Sequence, residues 1–118
     1  PDAVEALTMT GAGNIAVAGN GLDNILTGNS GDNRFTGHGG GDRFVFKANS
    51  GVDRILDFSA GQNDLIDINA YSHGVVNGGG VTLTTAGSDT LINLGGGNTI
   101  TVVGVASNDT GLLSHIVW

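Results

Sequence analysis

Asp42, Asp53 and Asp64 each stand two residues ahead of an apolar side chain, Phe44, Ile55 and Ile66, and each has a glycine among the three residues before it. Asn24 and Asn33 stand in the same relation to Leu26 and Phe35. Carboxylates and amides that recur at one place beside glycine turns supply oxygen donors at regular intervals, the donor type that a hard cation requires. The charge agrees, since 11 acids against 4 bases give a net charge of -7. Seven of the acids (Asp23, Asp32, Asp42, Asp53, Asp57, Asp64 and Asp67) fall within 45 residues. This balance disfavours nucleic acid and anionic membrane as partners, because both need clustered positive charge.

Catalytic constellations do not emerge from the same letters. Zinc hydrolase chemistry would need something like His-Glu-x-x-His, whereas His38, His73 and His115 are scattered with no such neighbour. No Gly-x-Ser-x-Gly elbow and no Gly-Lys-Ser/Thr phosphate loop occurs, for all the glycine. Asp53 and Asp57 form a carboxylate pair suited in principle to acid–base work, but Asp53 is already accounted for by the recurrence above. The absence of cysteine excludes disulfides and thiol chemistry. A non-catalytic module is expected.

The elements that must position these donors come from a repeat. Residues 19–27, 28–36 and 37–45 read GNGLDNILT, GNSGDNRFT and GHGGGDRFV, sharing Gly at position 1, a carboxylate or amide at position 6 and an apolar residue at position 8. Nine residues are too few for a helical hairpin but enough for a glycine turn and a brief strand. One such unit cannot bury its apolar side chain alone, so units must stack into a solenoid of parallel strands. Two units make one coil, which puts units 18 residues apart on top of each other.

The third unit, with Gly37, Gly39 to Gly41, Asp42 and Phe44, comes nearest to the nonapeptide Gly-Gly-x-Gly-x-Asp-x-apolar-x. The chain here resembles the RTX, or hemolysin-type calcium-binding repeat, family. The following run FVFKANSGVDRILDFSAGQNDLIDINA resembles what succeeds the last strict repeats in serralysin proteases and bacterial alginate (mannuronan) epimerases. The resemblance covers residues 5–69 well and the remainder by strand pattern only. It implies an all-β fold, a right-handed parallel β-roll of two sheets, continued by a short antiparallel meander. It also implies calcium clasped between units n and n+2, with Asn24 facing Asp42 and Asn33 facing Asp53 after a two-residue insertion. The ligands implied are the side chains of Asp42, Asp53, Asp64, Asn24 and Asn33 and the turn carbonyls of Gly19, Gly28, Gly37 and Gly39. Departures are Asn24 and Asn33 at position 6, and Asn20, Asn29 and His38 at position 2. Asparagines in solenoid turns also bond neighbouring backbone groups with no metal present. Asn14, Asn20, Asn24, Asn29 and Asn33 therefore carry that second reading, and the chain a metal-free scaffold alternative.

The 118 residues suit a single module. Residues 1–18 read as a degenerate coil, with Asn14 and Val17 imitating the repeat, 19–45 as the three clear units, and 46–69 as degenerate acidic coils. Residues 70–80 read as a loop, with a turn of helix near Asn69 to Ser72. Residues 81–118 read as capping strands, because 81–86, 90–94 and 99–105 alternate polar and apolar residues between glycine turns. The LLSHIVW ending reads as a closing strand with Ile116 and Trp118 buried, or, by the resemblance, as an apolar-ended signal for type I secretion. The chain begins at Pro1 with no leader-like stretch, as expected of a piece of a longer protein. No apolar run approaches the roughly 18 residues of a membrane helix. The resemblance implies a module that works outside a bacterial cell.

A partner beyond calcium is suggested by Arg34, Arg43 and Arg54, which all occupy position 7 of their units. Position 7 points away from the inward position 8, because side chains alternate along a strand. Paired guanidinium groups suit a carboxylated polysaccharide, so Arg34, Arg43, Arg54 and Lys47 are candidate glycan-binding residues. The alternative function is thus an acidic-polysaccharide module of a carbohydrate-active enzyme. Solvating the sheet and pairing with nearby aspartates explains the same arginines.

Overall fold

The computed structural model describes residues 5–72, 81–106 and 110–117. The chain winds alternately through two sheets. Strands β1 (Glu5–Thr8), β3 (Asn24–Thr27), β5 (Arg43–Val45) and β7 (Leu65–Asp67) stack in parallel in one sheet. Strands β2 (Ala16–Ala18), β4 (Arg34–Thr36) and β6 (Val52–Ile55) stack in parallel in the other. Each pair, β1 with β2, β3 with β4 and β5 with β6, is one coil, giving a β-solenoid of three coils.

Register follows the repeat. Leu7, Leu26, Phe44 and Ile66 align across one sheet, and Val17, Phe35 and Ile55 across the other. From Leu26 and Phe35 onward these side chains are fully buried between the sheets. Phe46, contributed by the insertion after β5, meets Phe35 edge-on with ring centroids 5.2 Å apart, and Phe44 meets Phe35 at 6.0 Å. Position 6 shares the inward face with position 8, so Asn24, Asn33, Asp42, Asp53 and Asp64 are also buried, at 0–1% exposure. The aspartates are inside the roll and not solvated on its surface.

The second half closes the stack. Strands β8 (Thr82–Ala86), β9 (Asp89–Gly95) and β10 (Asn98–Val102) form an antiparallel meander. It extends the second sheet, because β10 pairs in parallel with β6 and sets Ile100 opposite Asp53. Strand β11 (Ile116–Val117) pairs in parallel with β7 and extends the first sheet. A one-turn helix α1 (Asn69–Ser72) stands where the sequence suggested one. A second helix, α2 (Thr110–Ser114), precedes β11, where the sequence suggested only a closing strand, and its Leu112 is fully buried. Ile116 is buried as expected, while Trp118 and the greater part of the 70–80 loop lie outside the described residues.

Candidate metal centre

Each position-6 acid reaches back one coil and accepts a backbone N–H there. Asn24 N–H donates to Asp42 Oδ1 at 2.9 Å, and Asp42 N–H donates to Asp64 Oδ1 at 2.8 Å. In the other column, Asn33 N–H donates to Asp53 Oδ1 at 2.8 Å. The structure thus sets Asn24 beside Asp42 and Asn33 beside Asp53. Asp64 has its second oxygen held by Ser59 N–H at 2.8 Å. Asp42 Oδ2 and Asp53 Oδ2 are buried and have no hydrogen-bond partner.

These environments oppose ionisation. Burial pushes the Asp42 carboxyl up to about 6, against the Asn24 amide that lowers it, and the charges of Asp64, Asp57 and Asp23 push the same way as burial. Burial pushes Asp53 up to about 7 despite hydrogen bonds from the Asn33 amide and the Ser50 side chain. Asp64 is raised by burial too, partly offset by its two amide donors. Ile100, placed opposite Asp53 by the β10–β6 pairing, supplies an apolar neighbour where Asp42 has Asp64.

The residues fit a hard cation by the most direct structural criterion: two buried carboxylate oxygens lack the partner that burial demands. Position-1 glycines make the room. A Cβ on Gly37 would stand 2.1 Å from Asp42 Oδ2, one on Gly19 2.1 Å from Asn24 Oδ1, and one on Gly28 2.9 Å from Asn33 Oδ1. The Gly37 carbonyl faces the Gly19 turn, 2.9 Å from the same Cβ position, and Gly39 stacks on Gly21. Among the described residues no group of three or more acidic or histidine side chains gathers as a metal cluster. A cation here would therefore draw on one carboxylate per coil, with backbone carbonyls completing its shell.

The remaining acids are engaged elsewhere. Asp57 accepts Gly37 N–H at 2.8 Å on one oxygen and His38 N–H at 2.7 Å on the other. At position 5, Asp23 accepts Gly41 N–H and Asp32 accepts Val52 N–H, each at 2.8 Å, and Asn14 accepts Asp32 N–H at 2.8 Å. These position-5 links run forward to the following coil, opposite to those of position 6. Sequence reasoning missed them, although Asp23 and Asp32 align in the repeat. It also missed Asn98, whose side chain accepts Gly51 N–H at 3.0 Å and ties the meander to the roll.

The cationic residues divide between the two sides. Arg34 and Arg54 are register partners on β4 and β6, both exposed, and among the described residues neither guanidinium has an ion pair. They line a shallow groove with Asp32, Asn33 and Val52. Arg43 lies in the other sheet, where it pairs with Asp67 at 2.8 Å, and Lys47 is exposed in the insertion after β5. The structure brings Arg34 and Arg54 together and keeps Arg43 apart from them. His38 is exposed in a left-handed turn (φ 68°), and the His115 ring contacts the Gly111 carbonyl at 2.7 Å. His73 lies outside the described residues.

The architecture is similar to the solution structure of the AlgE6R3 subunit from the Azotobacter vinelandii mannuronan C5-epimerase, at a TM-score of 0.59 over 97% of this chain and 77% of that one. The fold is a β-roll. At 23% identity the likeness speaks for the fold alone. No family model matches this β-roll, and no curated protein matches it.

Proposed function

We propose that this β-roll is a non-catalytic calcium-binding module of a secreted RTX-type protein, which folds when it meets extracellular calcium. The observation that carries the reading is the pair of buried, unpartnered oxygens of Asp42 and Asp53. Asp42, Asp53 and Asp64 would hold ions through carboxylate oxygens, one carboxylate per coil, with the turn carbonyls of Gly37 and Gly39 as further donors. Bound calcium supplies positive charge that lets buried carboxylates ionise and joins neighbouring coils. Without it the acids remain protonated or repel one another. Extracellular modules bind calcium with dissociation constants of about 10⁻⁴ to 10⁻³ M. At ten times such a constant each site adds roughly 1.4 kcal/mol by mass action, so two sites suffice to close a marginal fold. Passage through a type I secretion apparatus as an open chain, followed by closure outside, suits this coupling.

Calcium titration of metal-stripped protein, followed by far-UV circular dichroism and calorimetry with magnesium as control, tests the reading. A rise in β signal, weakened by Asp42→Ala and Asp53→Ala, is expected. A fold complete in excess chelator, with no heat on adding calcium, would refute it and leave a metal-free scaffold.

The adjacency of Arg34 and Arg54 favours a second reading, an acidic-polysaccharide-binding module, and the solved neighbour belongs to an enzyme named for mannuronan. Two arginines in register on strands about 5 Å apart suit carboxylates of such a chain. Retention on alginate at low salt should weaken in the Arg34→Ala, Arg54→Ala double variant. Unchanged retention would end this reading.

A further inference from the structure

The position-6 side chain does different work in different units. Asn24 Oδ1 and Asp42 Oδ2 occupy equivalent places, each 2.1 Å from where a Cβ on its position-1 glycine would stand. In the first unit that oxygen accepts Asn20 N–H at 2.9 Å. In the third it accepts nothing, because the corresponding amide, His38 N–H, is held by Asp57. The other end of the side chain differs as well. Asp42 Oδ1 accepts from the preceding coil, whereas Asn24 Nδ2 is a donor and turns to Asn20 Oδ1 at 3.0 Å. Asn20 Oδ1 also accepts Leu22 N–H at 3.0 Å.

The second unit repeats the acceptor half of the arrangement, while Asn33 Nδ2, a donor, is left buried without a partner. Asn29 N–H donates to Asn33 Oδ1 at 3.1 Å, and Gly31 N–H donates to Asn29 Oδ1 at 2.9 Å. In both units, therefore, the position-6 amide oxygen is satisfied by the position-2 backbone N–H, which leaves no open acceptor for a cation in that turn. An acid at position 6 without that partner leaves a buried oxygen open. The asparagines at positions 2 and 6, which depart from the repeat's usual Gly and Asp, occur together in both units.

We infer that the pairs Asn20 with Asn24 and Asn29 with Asn33 replace a bound cation in their own turns, so that residues 19–31 hold their turns without metal and the metal-dependent part of the roll begins at Gly37. This rests on the calcium reading and decides which coils it applies to. Two neutral turns stacked against acidic ones give the roll a standing template on which the later coils close.

Hydrogen exchange read by mass spectrometry on the full chain, in excess chelator and then in millimolar calcium chloride, tests the division. In chelator, amides of residues 19–31 should exchange at least tenfold more slowly than those of 37–64. Calcium should then slow 37–64 at least tenfold and 19–31 less than threefold. If calcium slows both segments alike, the inference fails while the calcium reading stands. If calcium slows neither segment and gives no heat, the calcium reading fails and takes the division with it. An Asn20→Ala, Asn29→Ala double variant adds an independent readout. Its Tm should fall by the same amount with and without calcium, and a fall confined to one condition would overturn the inference.

Discussion

At the scale of single residues, the raised carboxyls of Asp42 and Asp53 set the pH behaviour of the metal-free roll. An unfolded aspartate titrates near 3.8, whereas these groups titrate at about 6 and about 7 when folded. Between those values the folded state binds more protons than the unfolded one, so stability falls as pH rises from about 4 through 7. Thermal unfolding in chelator should thus give a higher Tm at pH 5 than at pH 8, and calcium should reduce or reverse the difference. Asp42→Asn removes the titrating carboxyl but leaves its amide without the position-2 asparagine that partners Asn24, because position 38 is His and its N–H is held by Asp57. It should lessen the pH dependence of Tm in chelator and blunt the response to calcium. The acids at position 6 were legible from their fixed distance to an apolar partner. The clamp of Asp57 on the Gly37 and His38 amides was not, because insertions after β5 and β6 shift the later acids out of the nine-residue frame.

At the scale of elements, the turns of successive coils touch backbone to backbone. A Cβ on Gly40 would stand 2.6 Å from the Leu22 carbonyl, and Gly40 has φ of 86°, a region that side chains disfavour. Gly40→Ala should therefore destabilise by roughly 1 to 3 kcal/mol. Gly61→Ala, in the short 3-10 turn before β7 with only Ser59 Oγ 3.7 Å away, should be close to neutral. Equilibrium unfolding of the two variants in one buffer checks the contrast. Strands β3, β4 and β5 could be read from the repeat because one apolar residue per unit fixes their register. The meander was readable as alternation, but its parallel attachment through β10 was not, since nothing local in 98–102 points to β6. Helix α2 escaped for the same reason. The run Thr110–Ser114 is too short to show a helical period, and its helix is fixed by Leu112 entering the core.

Across the whole molecule the two ends of the solenoid are unlike. At the C-terminal end β10 and β11 extend the two sheets, and Leu112 is fully buried in the core. At the other end β1 is exposed along its length, with Leu7 at 40% and Ile15 at 36% exposure. A solenoid's stability is close to a sum of neighbouring interfaces, so loss of the closed end should propagate inward. Leu112→Ala should cost about 2 to 5 kcal/mol. Because the cap contains none of the candidate ligands beyond β7, the loss should be similar in chelator and in calcium, as paired thermal melts would show. The two-sheet plan and the donor columns followed from periodicity in residues 19–45. The closing strand was legible in LLSHIVW, but its partner was not, because β11 meets β7 through the register of Ile116 on Ile66, a pairing with no local sequence signal.

The opposed reach of the two acid positions has a mechanical side. Asp42 and Asp53 fasten each coil to the one before it, while Asp23 and Asp32 fasten each to the one after. A coil in the middle of the roll is therefore laced in both directions, and tension along the axis must break side-chain links together with the strand ladder. The first coil receives no backward link of this kind, because Asn24 and Asn33 of the coil above it accept from Asn20 and Asn29 within their own turns, so one set of laces is missing there. Pulled from its two ends, the roll would surrender that coil at low force and keep the acid-laced coils wound.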